Sequence, residues 1–279
     1  MKYPEKSPYS IGMFDSGLGG LTVLRQLLKV LPHEQFIYYG DTARLPYGDK
    51  SRETIIGYSL DNADFLLTQQ IKLLVVACST ASSFALEQLQ QHLDIPVIGM
   101  IEPGADIALR ATKTGRIAIL GTKGTIKSEA YKMAILARNP DVMVTSLACP
   151  LFVPLVEEHF LVHPATPLIV QEYLKPLKAQ QIDTILLGCT HYPLLKDLIC
   201  AEMGEDVMVI DPAMACAEKV LSTLDQHGLQ MPEKYDIRTS EHRFFVSDDP
   251  DKFQMLGEIF LGRRISFVES RNLISCELR

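Results

Sequence analysis

Long apolar runs are absent from this chain, and so is any long basic block. No stretch approaches the roughly 18 apolar residues that a spanning helix needs, so no membrane partner is expected. Without a basic block, and with a net charge of -7, the chain has no electrostatic footprint for nucleic acid. The same balance does not favour an anionic substrate, so any anion site must be built locally, from backbone amides or a few placed side chains. The opening MKYPEKSPYS is polar and has no apolar segment of the kind a secretory signal uses, which points to a soluble, cytoplasmic protein. No pair among the six cysteines, Cys78, Cys149, Cys189, Cys200, Cys216 and Cys276, stands at C-x-x-C spacing, which removes the common metal and redox motifs. Free thiols are expected, most of them as small buried hydrophobes. A G-x-x-x-x-G-K-[ST] run is missing as well, which excludes a P-loop.

What is present is a chain of 279 residues, 47% hydrophobic, enough for a substantial core and for two domains of ordinary size. Short apolar runs alternate with helical patterns. Ser10–Phe14, Gln35–Tyr39, Lys72–Ala77 and Ile95–Gly99 read as strands, with a helix carrying Leu21, Leu24, Leu27, Leu28 and Leu31 on one face and another through Arg52–Gln70. The pattern then restarts with strands at Arg116–Leu120, Val142–Ala148, Thr184–Leu187 and Val207–Ile210. Between them a helix is expected through the Lys127–Ala137 region. The last part holds a helix near Ala213–Leu224, a strand at Arg243–Val246 and a helix from Asp251. Such alternation predicts an α/β protein with mostly parallel sheets. IGMFDSGLGG (11–20) is echoed by RIAILGTKGT (116–125), and LLVVACSTAS (73–82) by TILLGCTHYP (184–193). Two related α/β halves follow, with ligands bound beyond the carboxyl ends of the strands. Ile101-Glu102-Pro103 and Ile210-Asp211-Pro212 look like crossings, which gives residues 1–99 plus 212–279 as one domain and 100–211 as the other.

Cys78 and Cys189 each end an apolar strand and precede a hydroxyl residue. A helix start beyond each would favour an anion and lower the thiol's pKa. One such cysteine is most often a core filler. Two in matching contexts suit inversion at carbon, in which a thiolate takes a proton from one face and a thiol returns one to the other. In Asp15-Ser16-Gly17-Leu18-Gly19-Gly20 the spacing of Gly17 and Gly19 matches the start of a dinucleotide turn, but Thr22 stands where the third glycine belongs. Its amides would hold a carboxylate equally well. Asp15 reads either as a helix cap or as a partner for an ammonium or a thiol. His191 is a core histidine, a zinc ligand beside Cys189, or the group that tunes that thiol. Pro46-Tyr47-Gly48 reads as a turn or a lid, and Glu157 as a solvated charge.

Together FDSGLGGLTVL, YYGDTARLPYG, VVACSTAS, CPLFVPLVE, LLGCTHYPLL and FFVSDDPDKF closely resemble glutamate racemases, over nearly the whole chain and in the family's order. The resemblance implies two α/β domains with the active site between them, no cofactor (pyridoxal phosphate included), no metal, and glutamate as the small-molecule substrate. It also implies a supply of D-glutamate to peptidoglycan biosynthesis. Cys78 and Cys189 would be the acid/bases, Asp15, His191 and Glu157 their auxiliaries. Substrate contacts would fall on Asp15, Ser16, Tyr47, Gly48, Ser79, Thr80, Thr122, Thr190 and His191. A homodimer is left open. The family reads A-C-N-T where this chain has Ala77-Cys78-Ser79-Thr80, which puts binding strength, turnover and substrate choice at stake. The alternatives are a racemase for aspartate or another amino acid in the same superfamily, or a catalytically weakened regulatory homologue.

Overall fold

The computed structural model describes residues 9–231 and 242–273; Cys276 lies outside them. The apolar runs form ten strands: β1 (Ser10–Asp15), β2 (Phe36–Gly40), β3 (Ile71–Val76), β4 (Val97–Ile98), β5 (Arg116–Gly121), β6 (Met143–Ala148), β7 (Thr184–Gly188), β8 (Met208–Ile210), β9 (Arg243–Val246) and β10 (Val268–Ser270). They make two sheets, ordered β10-β9-β2-β1-β3-β4 and β6-β5-β7-β8. Every pairing is parallel. The echo in the sequence has a topological counterpart, because β2-β1-β3-β4 and β6-β5-β7-β8 have the same order. In both, the strand ending in the Gly/Thr turn pairs with the strand ending in a cysteine, and the order reverses there. That switch point is where an open parallel sheet leaves a crevice.

Eleven α-helices lie among the described residues: α1 (Leu21–Val30), α2 (Arg52–Thr68), α3 (Ser79–His92), α4 (Ile101–Ala111), α5 (Lys123–Ser128), α6 (Ala130–Arg138), α7 (Phe152–Glu157), α8 (Ala165–Lys178), α9 (Lys196–Met203), α10 (Ala213–His227) and α11 (Pro250–Leu261). None is long and apolar enough to cross a membrane. The ends follow local chemistry. The Ser51 hydroxyl accepts the Thr54 N–H to cap α2. Asp249 accepts the Lys252 N–H ahead of Pro250, and Gly262 closes α11 in the left-handed region.

One local expectation is corrected. The helix through Lys127–Ala137 is two helices, because Glu129 takes a φ of 53° between them. The Ser128 hydroxyl donates to the Thr125 carbonyl and accepts the Ala130 N–H, so the side chain replaces the broken backbone ladder. Ile101-Glu102-Pro103 forms the first turn of α4. Proline is tolerated there because first-turn amides have no intrahelical acceptor.

The core decides how the halves sit. Leu21, Leu24 and Leu27 of α1 belong to one buried cluster with Leu120, Phe152, Leu174, Leu187 and Tyr192 from the second sheet and its helices. Separate clusters cover the outer face of each sheet, one under α2 and α3, the other under α4 and α6. The two sheets thus share their largest apolar cluster.

One carboxylate staples the second sheet. Asp183, just before β7, accepts from the Thr112 hydroxyl (2.7 Å), the Lys113 amide (2.8 Å), the Thr114 amide (2.5 Å) and the Thr114 hydroxyl (2.7 Å). Burial works against its charge, but these donors prevail and hold the carboxyl at about 2. A depressed carboxyl stabilises the fold at every pH above its unfolded value, and this contribution is lost as pH falls through about 2. Because the group is partly exposed, Asp183→Asn is expected to cost only about 1–2 kcal/mol at neutral pH. Denaturant unfolding at pH 7 and pH 2 checks it: the difference between the two proteins should shrink at the lower pH, and a constant difference refutes the assignment.

Candidate active site

The carboxyl ends of β1, β3, β5 and β7 converge on one cleft. Its walls include Ser16, Tyr47, Gly48, Cys78, Ser79, Thr80, Thr122, Glu157, Cys189, Thr190 and His191. The structure therefore brings together nearly every residue singled out in the sequence. Asp15 is the exception. It is fully buried behind the wall, where its carboxylate accepts the Gly17 amide at 3.0 Å and faces the Thr190 hydroxyl at 3.5 Å. It does not cap a helix by a side-chain bond in the ordinary way, since α1 begins only at Leu21 with Gly20 before it.

Cys78 is the residue before α3, and its Sγ lies 3.7 Å from the Ser16 hydroxyl. The expected lowering of its pKa is reversed. Burial, and then the charge of Asp15, push the thiol up to about 12 against the smaller pull of the Ala81 amide and the Ser16 hydroxyl. Asp15 is itself raised by burial, with the charge of His191 and the amides of Gly17 and Gly20 opposing. Cys189 differs in its setting. A 3₁₀ turn over Tyr192–Leu195 separates it from α9, so no α-helix begins directly behind it.

The imidazole stands beside Cys189 instead. His191 Nδ1 lies 4.0 Å from Cys189 Sγ, while Nε2 is 2.9 Å from Glu157 Oε1. Burial disfavours charge on His191, but its hydrogen bonds to Cys189 and Glu157 outweigh that and raise it to about 10. An imidazolium thus sits between sulfur and carboxylate at neutral pH. Phe260 of α11 packs edge-on against its ring, with centroids 5.4 Å apart.

Hydroxyls knit the seam between the sheets. Thr80 meets Thr122 at 2.9 Å and Thr125 at 3.1 Å, and Thr122 meets Thr125 at 3.1 Å. The Ser79 hydroxyl lies 3.3 Å from the Tyr131 hydroxyl across the same seam. The Thr22 hydroxyl donates to the Thr190 carbonyl at 3.0 Å. Gly19 permits the closest approach: a Cβ there would stand 2.1 Å from Thr190 Oγ1 and 2.5 Å from His191 Nδ1.

Arg44 lies in the YYGDTARLPYG stretch, but it does not line the cleft. Its guanidinium instead bonds Asp41 (2.7 Å), Asp61 (2.6 Å) and Asn62 (2.8 Å). Asp41 also accepts the Tyr47 hydroxyl, so this network fixes the loop whose Leu45, Pro46, Tyr47 and Gly48 form one wall. No Lys or Arg lines the cleft. Neutral donors surround it, with one buried carboxylate and one His–Glu pair behind the two thiols. Such a site can hold a zwitterion and move a proton at either sulfur. Sequence reading missed Leu45, Val153, Thr125, Tyr131 and Phe260. Only Thr125 had a local signal, as the third residue after the α5 cap Thr122, whose hydroxyl accepts its N–H.

Comparison with known proteins agrees with this geometry. The Asp/Glu/Hydantoin racemase family model matches residues 18–220. A glutamate racemase of Geobacter metallireducens is 50% identical over 259 residues, covering 93% of this chain and 95% of that one. Among solved structures, a glutamate racemase isoform from Bacillus anthracis superposes with a TM-score of 0.89 at 40% identity, covering 94% of this chain and 97% of its own. The Francisella tularensis glutamate racemase, solved in complex with D-glutamate, does so with a TM-score of 0.89 at 37% identity, covering 96% and 99%. The chain belongs to the Asp/Glu/Hydantoin racemase family, among its glutamate racemases.

Proposed function

We propose that this protein interconverts L- and D-glutamate, with Cys78 and Cys189 as its two acid/bases and with no cofactor. The observation behind this reading is the placement of both thiols on the walls of one cleft, each at the end of an equivalent strand in its own sheet. In one direction the sulfur of one cysteine, as thiolate, takes the α-proton, and the S–H of the other supplies a proton to the opposite face. In the return direction the roles exchange, and no net proton is consumed. Burial, and then the charge of Asp15, raise the thiol of Cys78, so the proton rests there before substrate arrives. A substrate ammonium arriving near Asp15 would offset that charge and ease the proton's departure. His191, charged and held by Glu157, serves Cys189. The hydroxyls of Ser16, Ser79, Thr80, Thr122 and Thr190, with the Tyr47-Gly48 loop, would position the substrate carboxylates. We read residues 1–99 with 212–279 and residues 100–211 as the two domains, and a cytoplasmic supply of D-glutamate for peptidoglycan as the role. Incubating the protein with L-glutamate in deuterated water tests the activity: D-glutamate and α-deuterium should appear together. Exchange on aspartate with none on glutamate would overturn the substrate assignment.

The pH profile follows from His191. Raised from 6.5 to about 10, it keeps its charge through neutral pH and loses it as pH climbs past about 10. A bell-shaped kcat/KM is expected, its limbs belonging to the coupled site. Glu157→Gln removes one source of the upward shift, so the alkaline limb should move toward neutrality. Unchanged limbs in that variant would remove Glu157 from the site's proton balance.

A further inference from the structure

No Lys or Arg among the described residues lines the cleft that would take a dicarboxylate, its one charged donor, His191, is already paired with Glu157, and the molecule as a whole is acidic. Cations gather immediately outside. A solvent-open cavity of about 1060 Å³ shares Gly48 with the cleft and is lined by Lys50, Arg52, Lys123 and Lys127, against Asp49 and Glu53. Four positive charges facing two negative ones leave it net positive. Lys50 and Arg52 follow the Tyr47-Gly48 loop of the first sheet's half, whereas Lys123 and Lys127 belong to α5 of the second. The ring therefore straddles the seam, and an Asp49–Lys123 ion pair of 3.7 Å bridges it. Its inner side is a close contact across the seam: a Cβ on Gly48 would meet Thr122 Cβ at 2.7 Å, and one on Gly124 would meet the Gly48 carbonyl at 3.0 Å. These side chains are exposed, with Lys123 at 63% and Asp49 at 59%, so their part is long-range attraction and not a tight salt bridge.

We propose that this cavity is an entry vestibule for a doubly carboxylated amino acid, in which Lys50, Arg52, Lys123 and Lys127 gather the substrate's anionic groups before it passes the Gly48–Thr122 seam. The proposal rests on the glutamate reading. A cluster of one sign around a cleft mouth raises local substrate concentration and capture, and salt weakens it. The vestibule thus supplies the attraction for a dicarboxylate that an interior lined by no Lys or Arg does not.

The test compares two double variants with the same change in net charge. Lys123→Gln with Lys127→Gln empties half of the ring, whereas Lys29→Gln with Lys219→Gln removes exposed lysines outside both cavities. At low ionic strength the first should lose about tenfold in kcat/KM for glutamate, mostly in KM. The second should match the unsubstituted protein. The unsubstituted protein's kcat/KM should fall between about 0.01 M and 0.5 M salt, and the first variant's should fall less. Equal kcat/KM in both double variants overturns the vestibule. So does a salt-independent kcat/KM in the unsubstituted protein, a result that holds even if a variant folds poorly. No turnover of glutamate by the unsubstituted protein would instead sink the substrate reading, and this proposal with it.

Discussion

Cys78→Ala and Cys189→Ala are each expected to lower racemisation by about 10²–10⁴, in both directions, because each thiol is the acid for one enantiomer and the base for the other. The loss should lie in kcat, since neither sulfur is needed to hold the carboxylates. A buried thiol elsewhere is the proper comparison. Cys216 of α10 is fully buried in the shared core and does not line the cleft. Cys216→Ala should therefore keep turnover while losing about 1 kcal/mol of stability. Circular dichroism melts alongside kcat for both enantiomers separate the two effects. Near-native turnover of either enantiomer by Cys78→Ala or Cys189→Ala would end the two-thiol mechanism.

The next largest effect is expected from a methyl group. Gly19→Ala would place a Cβ within 2.5 Å of His191 Nδ1 and closer still to Thr190 Oγ1. Those atoms carry the Cys189 side of the site, and they must shift to admit it. A displacement of about 1 Å at a reacting group can cost about 10²-fold in rate, and a loss of that size in kcat is expected. Gly57 in α2 meets no atom within 4 Å, so Gly57→Ala should leave kcat intact and add about 0.5–1 kcal/mol of helix stability. The pair distinguishes a seam contact from a general glycine effect. Gly19→Ala with unimpaired kcat would mean that His191 can move without consequence.

The sequence made some of this legible, and the reason is locality. Cys78 and Cys189 announce themselves because strand, thiol and hydroxyl turn are contiguous, and both turns repeat. The parallel sheets follow from apolar runs that are buried on both faces, as β1, β2, β3 and β7 are. Glu157 is a lone charge until folding sets it against His191, 34 residues away. Tyr131 reaches Ser79 over 52 residues, and Phe260 comes to His191 from the last described helix; no local pattern marks either. Arg44 shows the same limit. It lies within a motif, yet Asp61 and Asn62 of the following helix take its guanidinium. The direction of the Cys78 shift fails too, because the helix start is visible in sequence while the depth of burial is not.

Two like strands end in two like thiols, but what stands behind each is unlike: a buried carboxylate at Cys78, an imidazolium with its glutamate at Cys189. Enantiomers have equal free energy in water, so the equilibrium constant of their exchange is one. Detailed balance then forces kcat/KM to be identical for the two, whatever the chemistry behind each sulfur. The mismatch between the auxiliaries is confined to quantities that detailed balance leaves unconstrained. The two enantiomers can differ in kcat, in KM by the same factor, and in the deuterium isotope effect on each half-reaction. Measured that way, the substrate's mirror symmetry becomes a gauge of the protein's asymmetry.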